Sequence, residues 1–138
     1  MKIKGYIATC FTAGVIGAVG VILFSVVLYY TSVSAALGSG TPPKFAVPDI
    51  YRPLFWGGLW GLPFALITWK RESHYYLIGW LYFLAPVLAL YFIFAPMRGL
   101  GLFAQNKGLA FAFYLFLVNL PYGIVTAVLA RWFSSPRP

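Results

Sequence analysis

Gly5–Val33 reads GYIATCFTAGVIGAVGVILFSVVLYYTSV, a run without one charged side chain. About 20 apolar residues in a helix cross the hydrocarbon core of a bilayer. Three more stretches of the same kind follow: Pro53–Trp69, Tyr75–Met97 and Gly108–Ala130. The only two acids, Asp49 and Glu72, fall between these stretches, as does the only histidine, His74. The pattern predicts an all-α membrane protein, a bundle of four transmembrane helices over about 5–33, 53–69, 75–97 and 108–130. A run this long exceeds the 7–15 apolar residues of a secretory signal, so the first stretch reads as a retained helix although Lys2 and Lys4 precede it.

Composition narrows the class. Hydrophobic residues make up 62% of the 138 and aromatics 20%, against about 45–50% apolar in soluble domains. One membrane domain over 1–138 accounts for that length and leaves no room for a soluble catalytic domain. The formal net charge is +8, but the cations are scattered at helix ends, with no run longer than Lys70-Arg71. That distribution suits anionic headgroups, so the expected partners are membrane lipids and not nucleic acid. Cys10 is the only cysteine; one thiol makes neither an internal disulfide nor a metal site. His74 alone cannot supply a bis-histidine haem site. No nucleophile–base pair, carboxylate pair or metal cluster lies in the spans, so neither enzymatic activity nor a cofactor is expected.

Four crossings put both termini on one side. That side carries Lys2, Lys4, Lys70, Arg71, Arg131 and Arg137, and the other Lys44, Arg52, Arg98 and Lys107. The positive-inside rule makes the first side cytoplasmic. The long extracytoplasmic loop, 34–52, opens with turn residues and closes with Phe45, Val47 and Ile50. The Lys70–His74 connection is tight, and Arg98–Lys107 is loosened by Gly99 and Gly101. Tyr29, Tyr30, Tyr51, Trp56, Trp69, Tyr75, Tyr76, Trp80 and Trp132 crowd the helix ends as an interfacial aromatic belt.

Leu62-Pro63-Phe64-Ala65-Leu66-Ile67-Thr68 and Leu120-Pro121-Tyr122-Gly123-Ile124-Val125-Thr126 follow one pattern: Leu, Pro, aromatic, small, two aliphatics, Thr. Both would cross in the same direction. A duplication would make the chain two parallel-repeat helical hairpins related by an axis along the membrane normal; chance in an apolar alphabet is the other reading.

Small residues recur at helical spacing: Gly14 and Gly17 in the first stretch, Gly57 and Gly61 in the second, Gly123 and Ala127 in the fourth. Helices associate in a bilayer through close backbone approach, so these are helix-packing positions, either within the bundle or against a partner. Pro63, Pro86 and Pro121 each remove a backbone donor and leave either static curvature or a central cavity. Asn119 is the one amide deep in a span and needs a hydrogen bond there. A carbonyl freed by Pro121, Thr9 or Thr12 would satisfy it structurally. Alternatively it could line a pocket with Tyr122, Trp60 and Phe64, a ligand-binding set.

No acid lies in the first stretch, unlike the small multidrug transporters, and the glycine-asparagine signature of the fluoride channels is absent from the second. Tyr51-Arg52-Pro53-Leu54-Phe55-Trp56-Gly57-Gly58-Leu59-Trp60-Gly61-Leu62 resembles the Trp-Gly-Gly-Leu-Trp-Gly run of small, uncharacterised bacterial four-helix integral membrane proteins. The resemblance covers about a dozen residues plus the layout, and implies a bacterial inner (cytoplasmic) membrane location and no activity. Two functions are open. One is an accessory subunit of a larger membrane complex, respiratory or photosynthetic, that docks other integral subunits or self-associates. The other is a small transporter or binding protein for a neutral or lipophilic ligand such as a lipid or quinone.

Overall fold

The computed structural model describes residues 2–39, 42, 45–71 and 73–134. Lys44, Glu72 and Arg137, which enter the charge distribution above, lie outside the described residues, as does part of the 34–52 loop. All regular structure among the described residues is helical. α1 spans Ile3–Tyr30, the single turn α2 Val33–Ala36, and α3 Val47–Thr68. α4 (Tyr75–Leu81), α5 (Leu84–Ala89), a π-helical turn (Leu90–Phe94) and α6 (Ala95–Met97) form one interrupted rod. A 3-10 segment (Leu102–Lys107) leads to α7 (Leu109–Val118) and α8 (Leu120–Ser134).

Among the described residues three helical runs are long and apolar enough to cross a membrane: Ile3–Tyr30, Tyr75–Met97 and Leu109–Ser134. α3 has 22 residues but falls outside that group, because Asp49, Arg52, Pro53, Pro63 and its glycines dilute its hydropathy. It also begins at Val47 and not near Pro53, which shortens the expected 34–52 loop. The cause is local. A proline near a helix start is pre-organised for the first turn, and Pro48 stands there; the Asp49 carboxylate meets the positive end of the helix dipole. Ser32, in the left-handed region at φ 64°, ends α1 before the predicted Val33 and turns the chain into α2.

The two later rods break where proline chemistry requires it. Pro86 cannot donate to the Tyr82 carbonyl, which instead accepts from Ala85 N–H at 2.9 Å. Pro121 follows the α7–α8 junction, where the Asn119 carbonyl accepts from Tyr122 N–H at 3.1 Å. Pro96 has no N–H for the Phe92 carbonyl, and the residue before it, Ala95, donates its N–H five residues back to Leu90. α3 runs unbroken through Pro63.

α1 packs along both α3 and α8, and α4 packs on α8. Small residues make these seams. A Cβ on Gly61 would overlap the Cys10 carbonyl, and one on Gly57 would lie 2.6 Å from the Gly14 carbonyl oxygen. Gly123 faces the Gly79 and Trp80 carbonyls, and Ala127 meets Gly79. Gly17 abuts Tyr122 and Thr126. Lipid tails are as apolar as leucine, so van der Waals packing and interhelical hydrogen bonds hold such seams together. Buried tyrosines supply the bonds. Tyr75 donates to the Ala127 carbonyl at 2.7 Å, Tyr91 to Ala112 at 2.5 Å, Tyr122 to Gly57 at 2.5 Å, and Tyr82 to Trp60. Thr68 donates to the Phe64 carbonyl, which makes Tyr6 the donor in its 2.6 Å bond to Thr68 Oγ1.

Candidate functional site: an apolar cleft beside α3

α3 and the α5–π rod stand apart along part of their length and leave a cleft of about 320 Å³. One wall is Trp56, Gly57 and Trp60 of α3; the other is Pro86, Leu90 and Phe94. Ala18 and Val21 of α1, with Asn119 and Tyr122, form the back. Arg52, Pro53 and Arg98 complete the lining at the loop end.

Each wall is shaped by its sequence. Trp56 and Trp60 are one turn apart on α3, so both indoles lie on one face. The opposite wall carries the Pro86 break and the π turn, and π turns concentrate at functional sites. Two contacts bound the opening. At the inner end the Tyr82 hydroxyl donates to the Trp60 carbonyl. Nearer the loops Phe94 meets Trp56 edge to face, with centroids 5.4 Å apart. Asn119 Nδ2 donates back to the Leu115 carbonyl at 2.7 Å. Thr9 and Thr12 bond carbonyls of their own helix, as Asn119 does.

Of the four residues read from sequence as a ligand site, Trp60, Asn119 and Tyr122 line the cleft. Phe64 does not. It is fully buried, packed between the Tyr75 and Tyr82 rings. Gly57 lies in the cleft wall as well as in the α1 seam. His74 and Asp49 are exposed and Cys10 is buried. No group of three or more His, Cys, Asp or Glu side chains could hold a metal among the described residues. The Thr126 and Ser34 hydroxyls are buried without a hydrogen-bond partner among the described residues.

Sequence reasoning missed Arg52, Arg98, Trp56 and Phe94 as lining. The one available signal was topological: Arg52 and Arg98 fall on the same predicted side of the membrane. No family model, curated protein or solved structure matches this chain.

Proposed function

We propose that the chain is a four-span integral protein of the bacterial inner membrane that binds a lipophilic small molecule in the cleft beside α3. The fourth span is α3. Its 22 residues extend about 33 Å at 1.5 Å per residue, enough for a core about 30 Å thick, and it packs along α1, itself long and apolar enough to span. The termini are cytoplasmic on the charge bias, which leaves Arg52 and Arg98 on the extracytoplasmic side. The bacterial assignment rests on the Trp56–Gly61 resemblance.

The observation that carries the binding reading is the cleft itself. Ligand sites are mostly apolar concavities of about 300–1,000 Å³ with a few placed polar groups. Here Trp56, Trp60, Leu90 and Phe94 supply apolar surface and Asn119 one amide. Extraction of small molecules from protein purified in mild detergent tests it. A stoichiometric lipid or quinone in the wild type, depleted in Asn119→Leu, is expected; an unchanged guest in Asn119→Leu removes that residue from the site.

The accessory-subunit reading retains one support: the exposed outer faces, with Leu23, Leu66, Met97 and Leu109 among them, which meet either lipid or another subunit. The small-residue faces do not serve it, since Gly14, Gly57, Gly61, Gly123 and Ala127 are occupied within the chain. Co-purification with a stoichiometric large assembly would establish that role. Recovery alone or as a small homo-oligomer would remove it. Neither reading assigns catalysis.

A further inference from the structure

From the two guanidinium groups in the cleft lining, we infer that the guest is an anionic single-chain amphiphile, its acyl chain in the cleft and its oxyanion head held by Arg52 and Arg98. The inference rests on the binding reading above and narrows its ligand class. Arg52 is the sixth residue of α3, in its second turn, and Arg98 caps the C-terminal end of α6. They come from opposite walls of one opening, and both are exposed. Guanidinium forks match carboxylate and phosphate oxygens in a bidentate manner.

The backbone around Arg98 is hydrogen-bonded on both sides. Its N–H bonds the Phe94 carbonyl at 3.1 Å. Beyond it Gly99 and Gly101 take positive φ, and Asn106 Nδ2 donates to the Gly99 carbonyl at 3.1 Å. Asp49, the one acid among the described residues, precedes Arg52 by one turn on the exposed start of α3, outside the cleft lining. The charge in the lining is therefore positive. From Arg52 to Trp60 α3 advances about 12 Å at 1.5 Å per residue, a depth that suits one extended chain, and the volume lies at the small end of ligand pockets, too narrow for two.

The full-length protein, delipidated in a mild non-ionic detergent, is titrated with amphiphiles of one bromine-labelled acyl chain. The heads are a carboxylate (fatty acid), a phosphodiester (lysophosphatidylglycerol) and a neutral glycerol (monoacylglycerol). Saturable quenching in a background with Trp69, Trp80 and Trp132 changed to phenylalanine, which leaves Trp56 and Trp60 as the only fluorescent indoles, reports entry. Both anions are expected to bind about tenfold tighter than the neutral probe, the scale of charge-assisted hydrogen bonds. The stronger of the two identifies the source as free fatty acid or membrane lipid. The Arg52→Gln/Arg98→Gln double variant should bring the ratio of anion to neutral affinity down from about tenfold to about one. The corresponding double lysine variant should keep part of it, and Asp49→Asn should strengthen anion binding. Equal affinities in the wild type, a preference that survives the glutamine variant, or inorganic phosphate competing as well as the amphiphiles would each overturn the inference. Neutral binding alone would leave the cleft's binding role standing; no quenching by any probe would overturn both.

Discussion

α3 has two faces with opposite construction. Against α1 it is closed: Gly57 and Gly61 bring its backbone against Gly14 and Cys10 with no room for a methyl group. Against the α5–π rod it is open, with Trp56 and Trp60 facing Pro86, Leu90 and Phe94 across a cleft. The same short segment, Trp-Gly-Gly-Leu-Trp-Gly, builds both: its glycines make the seam, with Gly57 reaching the cleft as well, and its tryptophans line the cleft. In water an apolar gap of this kind would tend to collapse. In a bilayer no hydrophobic force drives helices together, and an acyl chain fills a gap at no such cost. Contact through small residues and separation through bulky ones are thus both stable, and residue size decides which face does which.

The sharpest way to break that contrast is to enlarge the seam. Gly61→Leu places a branched side chain on the Cys10 carbonyl and is expected to prevent accumulation of folded protein, read by size-exclusion profile and protease resistance. The matching change on the open face, Leu90→Trp, should fold normally and lose the guest by more than about tenfold, because it fills space that the guest uses. A smaller effect is expected where the cleft is pinned. Tyr82→Phe removes the hydroxyl donated to Trp60 and should cost about 0.6 kcal/mol, up to roughly 1.7, as interhelical hydrogen bonds in membranes do. Thermal denaturation in detergent would register it as a small fall in midpoint. Least of all, Trp132→Ala on the exposed C-terminal part of α8 should leave both seam and cleft intact, with stability changed by less than about 0.5 kcal/mol.

Much of the helical layout was legible because charge exclusion is a strong signal: three apolar runs became helices long enough to span. The start of α3 was obscured, since Asp49 and Arg52 interrupt the hydropathy while Pro48 and Asp49 are favourable at a helix start. Helix breaks at Pro86 and Pro121 could be located but not their outcome, because that depends on which groups take over the freed carbonyls. The cleft was legible only in part. Phe64 and Tyr122 hold the same place in the repeated Leu-Pro-aromatic pattern, yet Phe64 is sealed between Tyr75 and Tyr82 whereas Tyr122 reaches the cleft. Nothing in the repeat distinguishes them; the unequal packing of the neighbouring rods does. The two arginines read as ordinary interfacial anchors until the fold placed them on facing walls.

Native mass spectrometry of the full-length protein released from a mild detergent tests the central claim, that the open face of α3 holds a guest. Wild type is expected to retain one small amphiphile per chain, and Leu90→Trp, equally folded, to fly without it. Wild type recovered bare, or both proteins carrying the same adduct, would contradict a binding site in the cleft.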